Sequence, residues 1–117
     1  MKLLHFDDFK LGVLKGENVV DISDIADHVP HIGPHDRING LIENFSSYRD
    51  KIEAALADGD GVPLSGVRIR PPLPKPGSID CMAVNYMEDG TRDAPAPINA
   101  FHKSPNAVIG DGDTTVL

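Results

Sequence analysis

Between Arg70 and Gly77 the chain reads Arg-Pro-Pro-Leu-Pro-Lys-Pro-Gly, with four prolines in the six residues 71–76. Proline fixes φ and lacks a backbone N–H, so such a stretch can neither continue a helix nor sit inside a sheet ladder. It is stiff, extended and short of donors, which suits a connector between two structural units. The sequence therefore divides into 1–70, a connector at 71–77, and 78–117. With 117 residues in all, folding buries roughly two thirds of the unfolded surface, enough for one real core and little more.

The first piece reads as short strands followed by one helix. Leu3, Leu4 and Phe6 open it, and a turn at Asp7-Asp8 leads into Phe9-Lys10-Leu11-Gly12-Val13-Leu14. There Phe9, Leu11 and Val13 alternate with Lys10, Gly12 and Leu14, the pattern of a half-buried strand. Lys15-Gly16-Glu17-Asn18 is turn chemistry, and Val19-Val20-Asp21-Ile22 resumes a strand, so tight antiparallel hairpins are expected. Residues 24–27 suit a single helical turn before Pro30, Gly33 and Pro34 break the chain. Over 36–58, Ile38, Leu41, Ile42, Phe45, Tyr48, Ile52, Ala55 and Leu56 recur at helical spacing, which predicts one amphipathic helix. Gly59 is its stop and Gly40 weakens its first turn. That apolar stripe reads as core packing, and Val67–Arg70 as a short alternating strand.

Beyond the connector, Ile79-Asp80-Cys81-Met82-Ala83-Val84 is a small apolar run typical of a strand covered on both faces. Ile98–His102 and Ala107–Ile109 are further strand candidates. Gly110-Asp111-Gly112-Asp113 is a turn, and Thr114–Leu117 starts a last strand. That strand runs to the final residue without a polar tail, so the chain is expected to be the front part of something longer.

Composition narrows the function. Hydrophobic residues at 40% and charged residues at 25% suit a folded domain rather than a disordered one. A net charge of −7 disfavours a phosphate-tracking surface, hence nucleic acid as a partner. No apolar run approaches the ~20 residues that span a bilayer, so no membrane association is expected. The opening MKLLHFDDFK turns acidic before a signal-peptide core forms, and the single Cys81 forms no internal disulfide; both suit a reducing cytoplasm.

Several motifs offer chemistry. His28, His31 and His35 lie within eight residues, at separations zinc sites use, but two prolines and a glycine interrupt them and no periodicity aligns the rings. A surface loop that gains charge below pH ~6.5 is the preferred reading. Asp111 and Asp113 resemble the opening of a calcium loop, yet the chain turns apolar where further oxygen ligands are needed, so a turn is preferred. Cys81 sits in an apolar strand and reads as an inert buried thiol. No Gly-x-Ser-x-Gly, P-loop or dinucleotide fingerprint occurs. The most loaded stretch is Asn85-Tyr86-Met87-Glu88-Asp89-Gly90-Thr91-Arg92-Asp93, where a buried strand runs straight into a dense polar loop. Glu88 and Asp89 are candidate acid/base groups there, provided burial or mutual repulsion raises a pKa.

Arg70–Gly77 continuing through Ile79-Asp80-Cys81-Met82-Ala83-Val84-Asn85-Tyr86 resembles the fumarylacetoacetate hydrolase family: a proline-rich lead-in, a buried strand, then an Asn-Tyr pair opening an active-site loop. Phe101-His102-Lys103-Ser104-Pro105 is similar to the family's Phe-x-Lys-x-Pro segment, and Gly112-Asp113 leading to Val116-Leu117 to the turn and strand after it. Met1–Leu4, Gly12-Val13-Leu14 and Val20-Asp21-Ile22 are similar to the small N-terminal domain of many bacterial members.

The resemblance implies an α+β chain: a small N-terminal α+β domain at 1–70, the connector 71–77, and at 78–117 the first, incomplete strands of a mixed β-roll catalytic domain. It implies a metal-dependent hydrolase, isomerase or lyase acting on small 2-oxo or 1,3-dioxo carboxylic acids, with Mg²⁺ or Mn²⁺ as cofactor and a homodimer as the full-length form. Asp89 and Glu88 are the expected catalytic residues, and Tyr86 and Lys103 the expected substrate-binding ones. In many members the loop after Asn-Tyr supplies a His and, three residues on, a Glu; here those positions hold Asp89 and Arg92. The family's acidic metal ligands begin with a Glu-x-Glu, which does not occur in this chain. The ligands are thus expected beyond residue 117, and the chain alone is expected to be inactive. The alternative is a non-catalytic binding or assembly module that retains the family's front half.

Overall fold

A computed structural model describes residues 1–83, 94 and 96–116. It is a mixed α+β structure, and it divides into two compact units: Met1–Pro74 together with Ile109–Leu117, and Lys75–Val108.

The first unit is built on an antiparallel sheet. β1 (Leu3–Phe6), β2 (Lys10–Lys15) and β3 (Asn18–Asp21) form a meander, with Leu3 opposite Val13 and Val13 opposite Val20. Two short strands flank it, β4 (Val62–Pro63) beside β3 and β5 (Ile69–Arg70) beside β1, giving the order β4-β3-β2-β1-β5. The expected alternation holds in β2, where Leu11 and Val13 point into the core. Phe9, however, is not its first residue. It sits in the β1–β2 turn with φ 58°, and Asp7 has φ 49°. Left-handed backbone is costly for such residues and persists where the surroundings over-determine it. Here the Asp7 N–H donates to the Arg68 carbonyl at 2.8 Å, the Arg68 N–H donates to Asp7 Oδ1 at 3.0 Å, and Arg37 donates to the Phe9 carbonyl.

Three helices cover one face: α1 (Ser23–Ala26), α2 (Pro34–Glu43) and α3 (Phe45–Asp58). The single helix expected over 36–58 is broken at Asn44, whose φ of −109° is not helical. Its backbone N–H and its Nδ2 both donate to the Gly40 carbonyl, at 3.1 and 3.0 Å, and so close the end of α2. Pro34 opens α2 instead of breaking the chain, because the first helical position needs no N–H donor. Gly40 has a packing reason: a Cβ there would lie 2.4 Å from Val29 Cγ1, and Val29 is buried against this helix. Leu11, Val13, Ile22, Ala26, Val29, Ile38, Leu41 and Ile52 make the core, with Phe45, Tyr48 and Leu56 packed on it.

Residues 109–116 belong with this sheet. Gly110 passes so close to β5 that a Cβ would fall 2.2 Å from the Ile69 carbonyl oxygen. The Gly110–Asp113 turn is closed by a backbone hydrogen bond of 3.2 Å, as expected for Gly-Asp-Gly-Asp. Asp113 accepts from Arg68 Nε at 2.9 Å and Nη2 at 2.6 Å, and from the Gly110 N–H at 3.0 Å. The strand expected at 114–117 is not formed over Thr114–Val116, and Ala107–Ile109 is no strand either, because Ser104 caps a short 3₁₀ turn at Pro105–Ala107.

The Arg68 guanidinium, followed by the Gly110 N–H, holds the Asp113 carboxyl below its ordinary value of 3.8. Charge on this group therefore ties the 110–113 turn to Arg68, the residue before β5, above that value, and the tie is lost as pH falls through the lower folded-state pKa. The Gly110 amide resonance is expected to titrate with a midpoint below 3.8, and not to titrate in the Asp113→Asn variant.

The second unit is an antiparallel hairpin of β6 (Ile79–Ala83) and β7 (Asn99–Lys103), in register from Ile79 opposite Lys103 to Ala83 opposite Asn99. No described helix is long and apolar enough to cross a membrane.

Candidate functional site

Three of the four site residues expected from sequence lie between the two strands of the hairpin. β6 ends at Ala83 and β7 begins opposite it at Asn99, so the two ends of the 84–98 connection are pinned side by side. Tyr86, Glu88 and Asp89 fall in that connection and lie outside the described residues.

Lys103 is the one expected site residue on described backbone. It is exposed, at the end of β7 opposite Ile79. Side chains alternate along a strand, so Lys103 shares a face with Phe101, Ile79, Cys81 and Ala83, while His102 shares the other with Ala100, Asp80 and Met82. Ile79, Cys81 and Ala83 are half-buried, whereas Asp80 and Met82 are exposed. Lys103 thus stands on the more covered face of the hairpin. Among the described residues its ammonium meets no carboxylate within 4.0 Å.

The opposite face carries a pair that sequence reading did not single out. His102 Nδ1 lies 2.6 Å from Asp80 Oδ1, and Ser78 Oγ donates to Asp80 Oδ2 at 3.1 Å. Register alone brings these side chains together, and no local motif marks it. Both are well exposed, at 83% and 62%, so the pair adds little stability. Cys81 is reduced and half-buried opposite Phe101.

The residues of the histidine segment point to separate partners. His31 Nδ1 donates to the Val29 carbonyl at 2.6 Å, and His35 Nε2 accepts from Asn39 Nδ2 at 3.0 Å. Among the described residues no group of three or more His, Cys, Asp or Glu side chains has the arrangement to hold a metal ion. The described donor set therefore does not fit the divalent cation that the resemblance implies.

Sequence reading also passed over His5, the buried polar side chain of the first unit, at 0% exposure. It lies in β1 between Leu11 of β2 and Arg70 of β5, with its ring edge-on to Phe9 at 5.9 Å.

Comparison with known proteins points in one direction. No family model matches the chain. Over 87 residues it is 29% identical to a maleylpyruvate hydrolase of Aquipseudomonas alcaligenes, covering 74% of this chain and 30% of that protein. The crystal structure of maleylpyruvate hydrolase from Sphingobium sp. SYK-6 in complex with manganese(II) ion and pyruvate matches with a TM-score of 0.79 and 33% identity, over 100% of this chain and 42% of that one. A second crystal structure of maleylpyruvate hydrolase from that organism matches with a TM-score of 0.68 and 31% identity, over 90% of this chain and 38% of that one. The chain spans less than half the length of the maleylpyruvate hydrolases described above.

Proposed function

We propose that these residues are the N-terminal portion of a fumarylacetoacetate-hydrolase-type enzyme that cleaves a C–C bond of an acylpyruvate-like dioxo acid. The observation that carries this is the likeness, along the whole chain at 33% identity and a TM-score of 0.79, to a maleylpyruvate hydrolase solved with manganese and pyruvate. The proposed division, taken from the resemblance, is the small α+β domain at 1–70, the connector 71–77, and the opening of the catalytic β-roll at 78–117, of which residues 109–117 fall within the first compact unit.

Hydrolysis between two carbonyl groups needs a base to take a proton from water as its oxygen adds to one carbonyl. It then needs an acid to return a proton to the carbon that departs with the bonding electrons. Asp89, with Glu88 beside it, fills both roles in turn: the carboxylate takes the water proton and the carboxylic acid gives it back. Tyr86 hydrogen-bonds the substrate, and Lys103 pairs with its carboxylate. The resemblance assigns the cation to acidic ligands that begin with a Glu-x-Glu, which this sequence lacks, so its ligands are proposed to lie beyond residue 117, and no step is written through it. The complete enzyme is proposed to use Mg²⁺ or Mn²⁺ and to work as a homodimer.

The test compares this chain alone with the same chain continued to the length of the maleylpyruvate hydrolases, each assayed on acylpyruvates with and without Mn²⁺. Turnover by the longer form only, abolished by chelation, is the expected result. A longer form that is dimeric and metal-loaded yet inert would sink the enzymatic reading and leave the non-catalytic module.

A further inference from the structure

His5 carries an arrangement that the proposed chemistry does not use. Its Nδ1 faces the Pro71 carbonyl at 3.4 Å, a contact spanning 66 positions of sequence. A carbonyl only accepts, so Nδ1 bears a proton, and in the neutral ring Nε2 holds the lone pair. Nε2 is buried and meets no hydrogen-bond partner among the described residues. The imidazole ties β1 to the first residue of the proline-rich connector.

The surroundings are poorly suited to a second proton. From α2 comes Arg37, whose side chain is 12% exposed and whose guanidinium is paired with Asp27 at 2.8 Å. From β5 comes Arg70, its guanidinium 5.1 Å from the Phe9 ring centroid and its Nε donating to the Asp7 carbonyl at 2.6 Å. β2 brings the apolar Leu11, and the β1–β2 turn brings Asp7, whose carboxylate already accepts from the Arg68 N–H. The connector brings only the carbonyls of Pro71 and Pro72, which favour the cation. Burial opposes it more strongly and Arg37 adds to that opposition, so the His5 pKa lies below 6.5 in the folded chain.

We propose that His5 is a proton-operated latch: neutral, it holds the start of the connector against the sheet; once Nε2 takes a proton from solvent, the ring leaves its site and the connector is released. The direction follows from linkage. Above pH 6.5 both folded and unfolded chains keep the ring neutral and the latch is at full strength. Between 6.5 and the lower folded-state pKa only the released form binds the proton, which weakens the latch by about tenfold per pH unit. The first unit ends at Pro74, so the latch acts within it, on the last residues before the second unit begins at Lys75.

The 117-residue chain itself serves for the test, by following the His5 Cε1–H and Leu73 amide resonances from pH 8 to pH 5. The expected result is one shared midpoint below 6.5, with core amides such as Leu41 unmoved. In His5→Gln, which keeps a donor for Pro71 but takes no proton, Leu73 is expected to stay flat across that range. Should that variant not fold, Arg37→Gln offers an independent reading: loss of the positive charge moves the shared midpoint upward. A Leu73 resonance that ignores His5, a His5 midpoint at or above 6.5, or collapse of all amides at the same pH overturns the latch.

Discussion

Truncating Leu41 to alanine is expected to destabilise the first unit by about 2–5 kcal/mol, read from urea denaturation at neutral pH. Leu41 is fully buried in α2 and packs into the cluster that joins the helices to Leu11 and Val13 of the sheet. The loss combines the missing transfer energy with the cavity left between elements that relax only in part. Domains of this size have about 5–15 kcal/mol to lose, so the change removes a large share of what keeps the unit folded. The neighbouring Ile42, on the same helix but 50% exposed, provides the contrast. Ile42→Ala is expected to stay within about 0.5 kcal/mol. Equal losses at the two positions would mean that α2 does not present the face described.

The contrast between these neighbours was partly legible from spacing alone, and the limits of that legibility have physical causes. Period-two alternation in Leu11 and Val13 and turn chemistry at Gly16-Glu17 are local signals, and they led directly to β2 and its hairpin to β3. The helical period runs unbroken through Asn44, since Ile38, Leu41 and Ile52 all face the core. Periodicity therefore could not reveal a break that depends on Asn44 bonding back to the Gly40 carbonyl. Phe9 carries the apolar signature of a strand residue, but Arg37 and the Asp7–Arg68 bonds hold it in a turn. Pairings across long separations left no local trace at all: His5 with Pro71, Arg68 with Asp113, His102 with Asp80. The resemblance carried the general reading further than composition did, as the likeness to maleylpyruvate hydrolase bears out. Of the proposed site, only Lys103 stands on described backbone; Tyr86, Glu88 and Asp89 lie outside it.

Asp89→Asn is expected to lower kcat about 10²–10⁴-fold in the chain continued to the length of its relatives, with KM for an acylpyruvate nearly unchanged. Asparagine keeps the size and hydrogen-bonding shape of the side chain but cannot take the water proton, so only the transition state loses. Lys103→Ala is expected to do the reverse, raising KM while leaving kcat within a few-fold, because a carboxylate clamp acts on bound substrate and transition state alike. Glu88→Gln separates two versions of the acid/base pair. If the Glu88 charge raises the Asp89 pKa, its removal shifts the acidic limb of the rate profile downward in pH. If Glu88 is itself the base, kcat collapses as in Asp89→Asn. Identical small effects from all three changes would remove the 84–98 loop from the chemistry. The hairpin that pins Ala83 beside Asn99 would then be scaffold alone. The kinetic split thus asks of the loop what register already establishes for its stems: whether this hairpin aims reactive groups or merely connects two strands.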